Sequence, residues 1–275
     1  MQYTRLQMCR LGIRILCWLL LLPGARAFTD TIPDLTQLTR DGDWLRLPSG
    51  KVIWVEMHDS TGESDEAEVD TLGLESAARR DNPLSCVTPA FAGVVRKHAK
   101  TIPHHGIAKN FATLDEFIAW LPADTYMAQH QPPIDRSPES QRIKEERYNV
   151  QINRAWLLSA YRERDNDFHL VLSNRPKYDP EALLFSVEVS GLPDQSKVSS
   201  RRYRYLQSAR EQIISRLGDL RCGSTYIFRE AGIPIRVKGS LFFDIHHAGH
   251  IHGRQGLNPP SAWEIHPVTK IMWLD

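Results

Sequence analysis

Residues 148–174 read YNVQINRAWLLSAYRERDNDFHLVLSN, and this stretch decides the fold. Its first part, 148–164, is rich in tyrosine, valine, isoleucine and tryptophan, which favour β-structure. The DND at 165–167 is typical of a turn, and 168–174 alternates between apolar and polar residues. The stretch therefore predicts a β-hairpin.

Four further elements follow this hairpin along the chain. A third strand is predicted over 182–191, where ALLFSVEVSG is mostly apolar and rich in β-formers. A helix is predicted over 202–220, because apolar residues recur there at helical spacing and Gly218 is a natural helix stop. Two more strands are predicted over 233–245 and 262–274.

Three strands, a helix and two strands is the order of elements in a five-stranded OB-type barrel. Closing a sheet into a barrel removes its exposed edges, which suits a small β-rich unit. The predicted fold class is therefore mainly β with one helix, and residues 141–275 are predicted to form an OB-like β-barrel domain. An open α+β sheet is the alternative arrangement of the same elements.

The preceding residues, 28–140, are predicted to form a small irregular α+β region. A hairpin is predicted over 44–55 around a PSG turn. In TLDEFIAWL, Thr113 and Glu116 have the spacing of a capping box, which predicts the start of a short helix. The proline-rich stretch 129–142 lacks apolar periodicity and is predicted to be a linker.

The first 27 residues have the parts of a secretory signal peptide. Arginines precede an apolar run from Ile15 to Leu22, and Ala25-Arg26-Ala27 has the small-x-small pattern of a cleavage site. The apolar run is short for a stable membrane anchor, although an uncleaved anchor is the alternative. The chain is therefore predicted to be periplasmic or secreted, with residues 1–27 removed.

Removal of this segment leaves Cys86 and Cys222 as the remaining cysteines. A disulfide between them fits an oxidising compartment. Two free thiols are the alternative, because the distance between the two cysteines cannot be read from the sequence. Their spacing is unlike that of zinc-binding cysteines.

The composition is that of an ordinary globular protein, with 275 residues, 24% of them charged and 41% hydrophobic. The formal net charge of +1 gives no overall field that attracts nucleic acid or anionic membranes. G-x-S-x-G, Walker, Rossmann and H-E-x-x-H patterns do not occur. A serine hydrolase, a nucleotide-dependent enzyme and a standard metalloprotease are therefore unsupported.

Acidic residues and histidines gather on or beside the predicted strands of the second half. Residues two apart on a strand share a face, so Asp167 and His169 point together, and so do Glu264 and His266. If Phe168 and its alternate neighbours fill the barrel, these polar residues meet on one open face of the sheet. The candidate catalytic residues are His169, Glu188, Asp244, Glu264 and His266, and the candidate metal ligands are Asp244, His247, His252 and His266.

Such a set suits three kinds of chemistry. Imidazole and carboxylate together bind divalent metals such as zinc, which is the candidate cofactor. A carboxylate that orients a histidine supports general acid–base hydrolysis, and a metal-activated water supports phosphodiester cleavage. A structural role is the alternative: His169 would hydrogen-bond within the sheet, and Glu264 and His266 would pin the barrel closure.

The second half also resembles a family of small, exported bacterial proteins with β-barrel-like domains. The resemblance is carried by DNDFHLVL at 165–172, Glu188 in SVEVSG, GSLFFDIHH at 239–247 and WEIHPVTKI at 263–271. It covers about residues 148–275 and implies a small β-barrel. The resemblance carries no established reaction, so it bears on the fold more than on the function.

The leading functional hypothesis is an exported OB-like domain that binds an oligomeric ligand, an oligonucleotide or a glycan, at this polar face. The first alternative is a metal-dependent hydrolase of the phosphodiesterase or nuclease type that uses Asp244, His247, Glu264 and His266. The second alternative is a structural envelope protein.

Overall fold

The computed structural model describes four stretches of the chain, which are residues 43–46, 52–59, 88–249 and 256–275. The chain divides into two units, Met1–Asp30 and Thr31–Asp275, and the described residues belong to the second. The predicted signal peptide at 1–27 lies outside the described residues, as do Cys86 and His252.

The described part of the chain contains nine strands and four α-helices, so the fold is mainly β as predicted. The strands are β1 (Asp43–Arg46), β2 (Val52–Asp59), β3 (Ala108–Phe111), β4 (Asn149–Arg162), β5 (Phe168–Ser173), β6 (Leu184–Val189), β7 (Ser224–Ile227), β8 (Ile233–Phe243) and β9 (Trp263–Trp273). The helices are α1 (Lys97–Thr101), α2 (Leu114–Trp120), α3 (Asp124–Ala128) and α4 (Ser200–Leu217).

Five of these strands close into a barrel in the order β4, β5, β6, β9, β8 and back to β4. Neighbouring barrel strands are antiparallel, except for β6 and β9, which are parallel. Helix α4 lies between the third and fourth barrel strands in the chain. The predicted OB-like barrel is thus confirmed, and the open sheet is wrong because β4 pairs with both β5 and β8.

Other strands extend the sheet beyond the barrel. β7 pairs with β4, β2 pairs with β7, and β1 completes the predicted N-terminal hairpin with β2. β3 pairs in parallel with the start of β4. The sequence did not predict β3 or β7, because a run of four residues is too short to show periodicity.

The apolar core fills the barrel and continues into the N-terminal region. Phe168, Leu170 and Leu172 of β5 belong to it, as the alternation predicted. Phe117 of α2 and Met127 of α3 belong to the same cluster of buried side chains. The intervening residues of β5 therefore point to the outer face of the barrel.

Side chains cap the first turns of helices α2 and α4. The Thr113 hydroxyl accepts a hydrogen bond from the Glu116 amide at the start of α2, and the Glu116 carboxylate accepts one from the Ala112 amide. Ser199 caps α4 through the amide of Arg202. Within the described stretches, none of the helices combines the length and the hydropathy that crossing a bilayer requires.

Cys222 lies just before β7 and is disulfide-bonded. Its predicted partner, Cys86, is outside the described residues, so the pairing of these two cysteines stays a prediction. The linker predicted over 129–142 contains no helix or strand, but its last residue, Arg142, is buried against the barrel.

Candidate functional site

The outer face of β5, β6 and β9 carries the polar residues that the alternation placed together. His169 lies opposite Glu188 in the pairing of β5 with β6, and Ser186 lies opposite Glu264 where β6 meets β9. His266 is two residues along from Glu264 and shares its face. Three separate strands therefore supply one polar cluster.

Carboxylates and imidazoles alternate in the first half of this cluster. The Nδ1 atom of His169 lies 3.1 Å from Glu188 Oε1 and 3.6 Å from Glu163 Oε1. The other oxygen of Glu188, Oε2, lies 2.8 Å from His266 Nδ1. The Tyr161 ring stacks on His169 with 4.6 Å between the ring centroids. Glu188 thus joins two imidazoles through its two oxygens.

The same alternation continues in the second half. Glu264 Oε2 lies 3.6 Å from His266 Nδ1, and Glu264 Oε1 lies 3.6 Å from His247 Nδ1. His247 Nδ1 is 3.9 Å from Asp244 Oδ2, which is itself 3.3 Å from the ammonium of Lys100. A continuous series of acids and imidazoles therefore runs from Glu163 to Asp244.

The expectation of an open face is wrong, because most of the cluster is buried. Asp167 and His266 have no exposed surface, and Glu264 is 1% exposed. The two ends are more accessible, with 25% of the Glu163 side chain and 19% of the His247 side chain exposed. A ligand from solvent would therefore meet the ends of the cluster before its middle.

The N-terminal region provides the cover over this face. The Phe91 amide donates to the Leu192 carbonyl, and the Ala92 amide donates to the Asp165 carbonyl. The covering segment, residues 88–104, carries no sequence pattern that links it to the barrel. This is why strand alternation predicted the right face but not its burial.

Two buried arginines hold the covering segment against the barrel through hydrogen bonds. Arg96 donates two hydrogen bonds of 2.7 and 2.8 Å to the Glu146 carboxylate and a third to the Phe243 carbonyl. Arg142 donates to three backbone carbonyls, including that of His266. Burial lowers the pKa of Arg142 to about 10, so this side chain keeps its charge at neutral pH.

The middle of the cluster has strongly shifted pKa values. Burial lowers the pKa of His266, but the carboxylates of Glu188 and Asp167 outweigh burial and hold that pKa well above its usual value. Burial raises the pKa of Glu188, but His266 and His169 outweigh it and bring that pKa well below its usual value. Burial and the neighbouring Asp165 raise the pKa of Asp167 to about 7.

Asp244 is held as an ionised carboxylate at the other end. Burial raises its pKa, but Lys100 and then His247 outweigh burial, so the pKa lies well below its usual value. The His246 amide also donates to Asp244 Oδ1 at 3.0 Å. Because His247 follows Asp244 by three residues in a tight turn, both side chains reach the same point beside Glu264.

Among the residues that the structure describes, three groups of side chains have donor atoms spaced for a metal ion, each with its ligand atoms within 4.8 Å of one another. Of the predicted metal ligands, two lie in one group and His266 lies in another, while His252 is outside the described residues. The groups are Glu163–His169–Glu188, Asp167–Glu188–His266 and Asp244–His247–Glu264.

Glu163 and Lys100 belong to the cluster but were not predicted from the sequence. Glu163 lies two residues after Tyr161 and could have been found by extending the alternation of β4 past its end. Lys100 comes from the covering segment, where no sequence signal pointed to the barrel.

A shallow pocket of about 210 Å³ lies elsewhere on the surface. Trp120, Pro122, Lys144, Glu145 and Tyr148 line it. The Tyr148 ring meets the Trp120 ring edge-on at 5.2 Å, and Tyr148 is 45% exposed. This pocket therefore offers an accessible aromatic surface beside a positive and a negative side chain.

No protein-family model, curated protein or solved structure matches the chain. The resemblance of its motifs to a family of exported β-barrel proteins therefore stays a prediction.

Proposed function

We propose that the protein is a divalent-metal-dependent hydrolase of the phosphodiesterase type, with its metal held by Asp244, His247 and Glu264. The observation that carries this proposal is the convergence of these three donors within 4.8 Å at the end of the cluster where His247 reaches the surface. Three protein ligands leave a position for water, as catalytic zinc sites require.

Each part of this centre has a chemical task. A bound divalent metal lowers the pKa of its water to about 7 and so supplies a nucleophile at neutral pH. The His246 amide donates a hydrogen bond to Asp244 and so orients this ligand. The Lys100 ammonium adds positive charge at 3.3 Å from Asp244, which favours a negatively charged substrate.

Replacing one ligand tests the proposal. We expect His247→Ala to lower the rate of hydrolysis of bis(4-nitrophenyl) phosphate by at least about 100-fold, because loss of even an outer partner costs about 10–100-fold. The same variant should retain fewer zinc ions than the wild type after dialysis, as measured by mass spectrometry of the metal content.

The matched control is His105→Ala, which removes an exposed histidine. It should leave both the rate and the zinc content unchanged. A His247→Ala protein that folds and keeps the wild-type rate would refute the proposed centre.

Binding of an oligomeric ligand is a second candidate function, and the surface pocket favours it over the buried face. Exposed aromatic rings stack on nucleobases, and each stacked base contributes about 1–3 kcal/mol. We expect Tyr148→Ala to weaken binding of single-stranded DNA or of a glycan by about 5- to 150-fold, because the substitution removes the more exposed ring.

Fluorescence titration with an oligothymidylate and with an oligosaccharide, each at low salt, distinguishes the two ligand classes. Tyr126→Ala is the matched control, because Tyr126 is also exposed but does not line the pocket. Equal affinities of the two variants, or no binding by the wild type, would rule out binding of an oligomeric ligand at this pocket.

We also propose that the protein acts in the periplasm or outside the cell. The pattern of residues 1–27 supports export, and the disulfide at Cys222 is compatible with an oxidising compartment.

A further inference from the structure

We propose that Asp167, Glu188 and His266, here called the buried triad, form a second divalent-cation site that is structural and suits a transition metal such as Zn²⁺. This site is separate from the proposed catalytic centre, and its existence does not depend on that proposal. Its donor set of two carboxylates and one imidazole is one that zinc and related metals accept.

The first support is a set of close polar atoms without hydrogen bonds. His266 Nε2 lies 3.2 Å from Asp167 Oδ2, and His266 Nδ1 lies 2.8 Å from Glu188 Oε2. None of these four atoms makes a hydrogen bond within the described structure. One oxygen of each carboxylate and one ring nitrogen of His266 lie within 4.8 Å of one another, so a single ion can be bound through that nitrogen and the two oxygens.

The second support is the way in which the carboxylates are held. The Gly191 amide binds Asp167 Oδ1, which leaves Oδ2 directed at His266. His169 Nδ1 binds Glu188 Oε1, which leaves Oε2 directed at His266. Each carboxylate therefore has one oxygen fixed by an outer partner and one oxygen turned towards the triad, the arrangement that orients metal ligands in proteins.

The third support is burial. Asp167 and His266 have no exposed surface, and Glu188 is 3% exposed. Buried polar atoms nearly always have partners, so carboxylate oxygens and a ring nitrogen without hydrogen bonds need an explanation. A divalent cation would partner the two oxygens and one of the two ring nitrogens of His266.

Zinc stoichiometry tests this inference on the full chain. After equilibrium dialysis against Zn²⁺, we expect about two ions per wild-type chain and about one per His247→Ala chain. Adding Asp167→Asn to His247→Ala should remove the remaining ion, because the amide keeps the shape of the carboxylate but lacks its charge. Glu188→Gln is the second variant, to be used if Asp167→Asn fails to fold.

The possible outcomes separate the two sites. One ion on both the wild type and His247→Ala would support the triad and overturn the proposed catalytic centre. One ion on the wild type and none on His247→Ala would overturn the triad alone. An ion that survives both Asp167→Asn and Glu188→Gln would be an adventitious ion only, and the triad would be refuted.

Discussion

Glu146 links the covering segment to the barrel through Arg96 and Phe243. Its carboxylate accepts hydrogen bonds from the Arg96 guanidinium and from the backbone amides of Ile143 and Phe243. Arg96 has a left-handed backbone with φ of 46° and a side chain that is 1% exposed. A buried charge pair of this kind contributes little net stability, but it is costly to break from one side.

Glu146→Gln should therefore destabilise the protein by about 3–5 kcal/mol, because it leaves the buried Arg96 charge uncompensated. Urea unfolding measures the loss. Glu139→Gln, the same change at an exposed position nearby, should stay within about 0.5 kcal/mol of the wild type. Equal stabilities of the two variants would show that the ion pair does not hold the cover.

For individual residues, the sequence predicted which side chains lie close together, but it did not predict that they are buried. The period of two along β5 and β9 correctly placed His169 and His266 on the face opposite Phe168. The buried His266 has its carbonyl bound by Arg142, which lies 124 residues earlier in the chain. Periodicity describes one element at a time, so it carries no information about such a distant cover.

Among the elements, the covering segment and the end of β6 come into unusually close contact. Ala90 forms a parallel bridge with Leu192, just past β6. A Cβ atom on Gly191 would lie 2.6 Å from the Phe91 Cα atom, which is closer than real Cβ contacts come. A glycine is therefore required where this segment crosses the barrel.

Gly191→Ala should push the covering segment away from the barrel and destabilise the protein by about 1–3 kcal/mol through overpacking. It should also speed the modification of His169 by diethyl pyrocarbonate, which mass spectrometry can follow residue by residue. Gln195→Ala, an exposed change four residues along, is the control. A wild-type modification rate in Gly191→Ala would mean that the segment does not shield the cluster.

Long elements were predictable and short ones were not. The strand predicted over 148–164 is Asn149–Arg162, and the helix predicted over 202–220 is Ser200–Leu217. β7 has four residues, and its place is fixed by pairing with β2 and β4. Such a short strand forms because neighbouring strands pair with it. Sequence patterns reflect mainly the local preference of residues for β-structure.

For the molecule as a whole, the barrel and the N-terminal elements share one apolar core. Ile53 of β2 and Phe117 of α2 belong to the same cluster as Val187 and Ile265 in the barrel. The domain boundary predicted at residue 140 reflects a change in sequence pattern and stays a prediction. The shared core accounts for Thr31–Asp275 forming one compact unit.

Export is a property of the whole chain and can be tested on it. We expect the protein expressed in a bacterium to be recovered from the periplasm or the medium, with Phe28 as its first residue, because Ala25-Arg26-Ala27 fits a signal peptidase site. Intact-mass measurement gives the new N-terminus. Recovery of the chain in the cytoplasm with residues 1–27 still attached would contradict export.

The position of the cover in the chain has a consequence for folding. Residues 88–104 leave the ribosome before any barrel strand, yet they rest on a surface that is complete only when β9 has joined β6 and β8. The covering segment can therefore pack only after the barrel has formed, and contacts between residues so distant in sequence form slowly. Until then the acids and imidazoles of the cluster are exposed to solvent. The compartment in which the chain folds therefore determines what becomes buried together with them.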